Sequence, residues 1–217
     1  MTTQRSIRLS SQQASVVDHV DGPLLVVAGP GSGKTRVLTE RIRSLLSNVP
    51  GHFRVLALTF TNKAADEMRE RLADLGDARQ RAFIGTLHSF CLDMLTERGK
   101  LVGVEGMPNI FEQFKDRKEI LLNAIQDDPT LESELDQEGD AKARGRRVDA
   151  WLQSISWIKA HPITCAVVED ELERRVLEAY DNGLRASNAY DFDDLLLLCR
   201  DVLRDHPDVR ERYSERF

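Results

Sequence analysis

Residues Ala28-Gly29-Pro30-Gly31-Ser32-Gly33-Lys34-Thr35 place glycines at alternate positions ahead of a lysine and a threonine. Glycine lets successive backbone N–H groups turn inward around an anion, because no Cβ stands in the way. A helix opening at Lys34 would aim the positive end of its dipole at the same point. Lys34 adds a cation that can reach terminal phosphates, and the Thr35 hydroxyl can hold a Mg²⁺ that bridges them. The string fits a phosphate-binding loop, with Ala28 where a first glycine is usual, and it points to a nucleotide.

Such a loop must be held between a strand and a helix. Leu24-Leu25-Val26-Val27-Ala28 is a continuous apolar run suited to a buried parallel strand. Helical spacing follows from Lys34 to about residue 46, with Val37, Leu38, Ile42, Leu45 and Leu46 on one face. Asn48, Pro50 and Gly51 break it. A second strand is expected over 55–60, and Thr61 or Asn62 can cap the helix after it. That helix carries Glu67 and Arg71 at i,i+4 spacing and stops at Gly76. A third short strand over 82–84 leads through Gly85 into a helix over 87–98.

Alternating strands and helices predict an α/β fold, a parallel sheet with right-handed crossovers and flanking helices. From 111 to 183 the periodicity is helical, with amphipathic stretches over 117–125, 148–159 and 168–181 and no convincing strand. An apolar helix is expected over 193–203, and the paired Asp193 and Asp194 suit its N-terminus. The expected organisation is a first α/β part over 1–100, a mostly α-helical inserted subdomain over 101–190, and a return to the α/β part over 191–217.

The bulk properties limit the alternatives. A chain of 217 residues with 30% charged and 41% hydrophobic residues suits one or two globular domains. No apolar run approaches the ~20 residues that cross a bilayer. The polar stretch up to Ser11 has no apolar signal core, so a cytoplasmic location is expected. Cys91, Cys165 and Cys199 lack metal-ligand spacing and read as free thiols. The net charge of −6 argues weakly against a nucleic-acid partner, although a local cleft potential can override the sum. Seven acids between Asp127 and Asp140, followed by Lys142, Arg144, Arg146 and Arg147, read as a solvated and partly flexible segment.

Further short motifs narrow the choice. Leu9-Ser10-Ser11-Gln12-Gln13 precedes the first strand, Arg36 follows Thr35, and Leu58-Thr59-Phe60-Thr61-Asn62-Lys63-Ala64-Ala65-Asp66-Glu67-Met68 spans the second strand and its helix. Gly85-Thr86-Leu87-His88-Ser89-Phe90 and Asp191-Phe192-Asp193-Asp194-Leu195-Leu196 follow in order. Together they resemble the successive motifs of the UvrD/Rep (PcrA-like) superfamily 1 DNA helicases, tightly over 9–98 and 191–198. Ser10 departs from the Asn usual in that family.

The resemblance implies a RecA-like ATPase domain, called 1A, carrying a helical 1B insertion, with ATP and Mg²⁺ as cofactors. It implies that the adenine is read by Gln13 and stacked on by Arg36, while the loop from Ala28 to Thr35 holds the phosphates. It places Phe60, Thr61, Asn62, Thr86 and His88 along single-stranded DNA or a single-strand/duplex junction. It implies 3′ to 5′ translocation, a nucleoid-associated cytoplasmic setting, and a second motor domain that supplies arginine fingers. The family's apolar strand ending in Asp-Glu is not among these residues, so the 217 residues are expected to bind ATP weakly and hydrolyse it negligibly. Two alternatives stay open: a natural short nucleotide- or DNA-binding protein without turnover, and an unrelated P-loop enzyme.

Overall fold

The computed structural model describes residues 9–49, 53–161 and 168–217. Pro50, Gly51 and Cys165, which figure in the sequence reading, lie outside them. Two compact units emerge: Met1–Phe90 with Glu211–Phe217, and Cys91–Arg210.

The first unit begins with α1 (Ser11–Asp18) and α2 (Lys34–Asn48). Strand β1 (Val55–Thr59), helix α3 (Asn62–Arg71), a 3-10 stretch (Ala73–Arg81) and strand β2 (Ala82–Thr86) follow, and α4 (Leu87–Arg98) starts at its edge. β1 and β2 pair in parallel, Val55 opposite Ala82 through Thr59 opposite Thr86. The apolar face of α2 packs Ile42 and Leu46 with Ala57, Ala65, Met68, Leu72 and Ile84 into one core. Arg69 reinforces it by donating to the Ile84 carbonyl through Nε at 3.0 Å. Glu67 and Arg71 form the expected ion pair. Thr61 is the cap of α3, its hydroxyl accepting from the Ala64 N–H at 3.2 Å.

The expected first strand is corrected. Residues 24–28 join no ladder among the described residues. Leu25 and Val27 are 89% and 92% exposed, against 44% and 47% for Leu24 and Val26. The exposure alternates with the period of a pleated strand. A strand is defined by its neighbours, and among the described residues β1 and β2 pair only with each other.

The second unit is mostly helical: α5 (Phe114–Gln126), α6 (Pro129–Asp136), α7 (Ala141–Ala160), α8 (Glu171–Ala186) and α9 (Phe192–Asp205), with α10 (Pro207–Arg216) beginning at its end. The acidic segment is ordered, which corrects the flexible reading. Asp128 and Asp140 cap α6 and α7, and Leu131 and Leu135 are buried. A short parallel pair, β3 (Asn109–Phe111) with β4 (Ala189–Asp191), also escaped the periodicity, since three residues are too few to show one.

The core of this unit gathers Leu121, Ile125, Trp151, Leu152, Ile155 and Tyr180. Beside it lies an ion cluster. The Lys159 ammonium, 4% exposed, sits 2.6 Å from Asp194, 2.9 Å from Asp181 and 3.3 Å from Asp191. Tyr180 donates its hydroxyl to Asp191 at 3.1 Å, and Arg117 reaches Tyr180 at 3.0 Å and Asp191 at 3.5 Å. Asp191 also caps α9 in a reciprocal box with Asp194. The cap is therefore Asp191, with Asp193 and Asp194 in the first turn.

Three carboxylates face two cations, which leaves one negative charge in excess. Burial pushes Lys159 down, but Asp194, Asp191 and Asp181 outweigh it and hold its pKa above the ordinary range. Burial pushes Asp191 up, and Lys159 with its hydrogen bonds holds it below. The excess falls on Asp194, pushed up to about 6 by burial first and by Asp191 against the pull of Lys159.

Two outcomes follow. Lys159→Met leaves the three carboxylates facing Arg117 alone, and the unfolding free energy should fall by about 3–5 kcal/mol, read from denaturant midpoints. An unchanged midpoint would mean that the ammonium contributes nothing. Asp194 holds its proton more tightly when folded, so its contribution is full below its ordinary 3.8 and is lost as pH rises through about 6. Asp194→Asn should remove that fall from a stability profile measured across this window.

Candidate nucleotide and nucleic-acid sites

The loop ahead of α2 is built for an anion. Gly31 and Gly33 have φ of +73° and +83°, a left-handed backbone that disfavours other residues. Gly33 is the N-cap of α2 and supplies no side-chain cap, and the first turn carries no acid. The opening N–H groups of α2 therefore face outward without a side-chain acceptor, at the positive end of a helix of 15 residues.

Lys34 folds back over this loop. Its ammonium donates to the carbonyls of Gly29 at 2.8 Å and Ala28 at 3.2 Å. Ser32 closes the turn through its hydroxyl to the Gly29 carbonyl at 2.8 Å. Thr35 is half-buried in the first turn of α2, and Thr39, one turn on, donates to its carbonyl at 2.7 Å. Among the described residues no group of three His, Cys, Asp or Glu side chains could hold a metal. Mg²⁺ beside a phosphate takes few protein ligands and fills its shell with phosphate and water. The Thr35 hydroxyl is the oxygen donor that the first turn of α2 offers to such an ion.

Gln13 reaches the loop from α1. Its Nε2 donates to the Ser32 carbonyl at 3.1 Å, and its Oε1 accepts from the Ser10 N–H at 3.0 Å. Ser10 returns the contact as N-cap, its hydroxyl accepting from the Gln13 N–H at 3.2 Å. Serine caps a helix as well as asparagine does, which explains how this chain tolerates the departure at Ser10. A cleft of about 710 Å³ joins these parts. Gln13, Ala28, Gly29, Ser32, Lys34 and Arg41 line it together with the apolar Val16, Leu24, Val26, Val37 and Leu38. A lining of both polar and apolar groups suits a phosphorylated ligand with a flat base. Pro30 is exposed at the loop turn and Arg36 half-buried on α2.

A second set of residues meets at the carboxyl ends of β1 and β2, the edge where open α/β sheets present ligand contacts. The register of Thr59 against Thr86 brings 60–62 and 86–88 side by side. Phe60 is 104% exposed, and Thr61 and Asn62 are exposed with it. Thr86 and Ser89 bond reciprocally, the Ser89 N–H to the Thr86 hydroxyl at 3.1 Å and the Thr86 N–H to the Ser89 hydroxyl at 2.8 Å. The hydroxyls of Thr61 and Thr86 thus already serve helix starts. His88 is half-buried at the head of α4.

Sequence reading missed the apolar half of the cleft, whose residues looked like ordinary core, and the ion cluster. One signal for the latter was present: Lys159 continues the apolar stripe of Trp151, Leu152, Ile155 and Ile158 on α7, where a charge needs partners.

The UvrD/REP helicase N-terminal domain family matches residues 9–217. The chain is 34% identical over 213 residues to the ATP-dependent DNA helicase PcrA of Leuconostoc citreum, covering 96% of this chain and 28% of that protein. It is 38% identical over 222 residues to the ATP-dependent DNA helicase UvrD1 of Mycobacterium tuberculosis, covering 96% of this chain and 27% of that one. Against PcrA of Staphylococcus aureus the identity is 33% over 218 residues, with 96% and 28% covered. The chain thus spans between 27% and 28% of the length of these relatives. No described helix is long and apolar enough to cross a membrane. With a phosphate loop at the head of α2 and a match that runs from residue 9 to residue 217, the chain belongs to the UvrD/REP helicase N-terminal domain family.

Proposed function

We propose that this chain is the ATP- and DNA-binding N-terminal part of an ATP-dependent DNA helicase that moves 3′ to 5′ on single-stranded DNA. The observation that carries the reading is the uncapped head of α2 behind left-handed Gly31 and Gly33, with Lys34 poised on the loop carbonyls. Residues 1–100 and 191–217 belong to the motor domain in this reading, and 101–190 to its helical insertion.

On binding, the phosphates take the N–H groups of the loop and of the first turn, and Lys34 exchanges the Gly29 and Ala28 carbonyls for phosphate oxygens. Thr35 would hold Mg²⁺, which would screen the phosphate charge. Gln13 leaves the Ser32 carbonyl to read the adenine edge, a task a bidentate amide suits. Arg36 lays its planar guanidinium on the base. Phe60 offers an exposed ring for a nucleobase to stack on, and Thr61, Asn62, Thr86 and His88 follow the strand. Chemistry needs a carboxylate to orient water, expected on the family's Asp-Glu strand, and arginines on the phosphates, expected from a second motor lobe. The 217 residues alone therefore bind ATP weakly and hydrolyse it negligibly.

Lys34→Ala should weaken Mg·ATP binding about tenfold to a hundredfold, the loss of charge-assisted hydrogen bonds worth ~1.5–3 kcal/mol. Titration calorimetry on the purified chain reads this, and equal affinities would sink the phosphate-loop reading. Turnover stimulated by single-stranded DNA would overturn the absence of hydrolysis and nothing else. Phe60→Ala should weaken binding of a single-stranded oligonucleotide by the ~1–3 kcal/mol of one stacked base. Its thermal midpoint should not move, because the ring is fully exposed. Anisotropy at one fixed salt concentration measures the first, and an unchanged affinity would remove Phe60 from the DNA path.

A further inference from the structure

The helix that carries Gln13 is poorly anchored by itself. α1 has 8 residues and buries only Val17. Isolated helices shorter than ~12–15 residues are marginal in water, so its place depends on tertiary ties. Packing against α2 is one. Two polar ties sit at its two ends.

At the amino end Gln13 donates to the Ser32 carbonyl. At the carboxyl end the tie comes from Arg41, about two turns along α2 from Lys34. Its guanidinium donates from one nitrogen to the Val16 carbonyl at 2.7 Å and to the His19 carbonyl. Both belong to the last turn and C-cap of α1, where carbonyls lack helical partners and the dipole end is negative. α1 has no basic residue of its own in that turn. Arg41 therefore supplies the missing cation from the same helix whose first turn forms the phosphate site. Val16 stands one turn from Gln13, so a grip on its carbonyl sets both the height and the rotation of the Gln13 side chain.

We propose that Arg41 is a positioning residue for base selection: by gripping the Val16 and His19 carbonyls it holds the Gln13 amide in register with the phosphate loop. The inference rests on the reading of Gln13 as the adenine contact. Released from Arg41, α1 swings and the amide loses its fixed distance from the loop, while the loop itself stays on α2. Base discrimination is lost and phosphate affinity is kept.

The test compares Mg·ATP, Mg·GTP and Mg·tripolyphosphate binding to the purified 217-residue chain by calorimetry, for the wild type, Arg41→Ala and Arg41→Lys. A bidentate amide contact gives a wild-type preference for ATP over GTP of about tenfold or more. Arg41→Ala should bring that ratio to within about twofold of unity and leave tripolyphosphate affinity within about twofold of wild type. Arg41→Lys, a point charge without the fork, should fall between. If all three ligands weaken equally in Arg41→Ala, the residue merely supports the fold and the proposal is overturned. If the wild-type preference survives Arg41→Ala, the proposal fails while the Gln13 reading stands. A wild type that does not prefer ATP over GTP removes the Gln13 reading and the proposal with it.

Discussion

Helix α2 has to meet two opposed demands. Its downstream face must be apolar, because Ile42 and Leu46 close the core against Ala57, Met68 and Ile84. Its head must stay polar and open, because an anion needs donors with no competing acceptor. Gly33 reconciles the two: a left-handed N-cap without a side chain starts the helix and leaves its first N–H groups unclaimed. A serine or aspartate there would make a better isolated helix and a poorer anion site. The stability that such a cap gives up comes back through the buried face of the same helix.

Around that head the remaining polar groups are provisionally satisfied. Lys34 rests on the Gly29 and Ala28 carbonyls, and Gln13 rests on Ser32 and Ser10. Each contact is a neutral backbone group, a carbonyl for Lys34 and a carbonyl and an N–H for Gln13, standing where a ligand can take over. Exchanging partners in this way costs less than dehydrating a fully solvated lysine or amide, since the groups are already turned toward the loop. Preorganisation here is a matter of direction as much as of distance.

The second unit solves a different problem, that of bringing charge inside. Lys159 ties α7 to α8 and α9 through Asp181, Asp191 and Asp194, and Asp191 is also the cap of α9. One side chain thus serves a helix start and an ion cluster together. Buried ions add little net stability over apolar packing, but once present they tolerate few alternative arrangements of the helices. The cluster makes the relative placement of α7, α8 and α9 specific.

Much of this was legible in residue order. The phosphate loop, α2, β1, α3, β2, α4 and α9 follow from glycine placement, helical period and short apolar runs, all properties of a few neighbouring residues. The strand expected over 24–28 shows where that logic stops. Its composition suits a buried strand, yet Leu25 and Val27 stand exposed because pairing needs a neighbour that composition cannot name. The acidic run shows the converse, since Leu131 and Leu135 order a segment whose charges suggested a solvated one. Local backbone freedom and periodicity were enough to locate the glycine loop at the head of a helix. Packing alone assigned Arg41 to the carbonyls of α1 and Lys159 to its carboxylates. Those partners stand 22 to 35 residues away along the chain, and desolvation leaves no mark on local order.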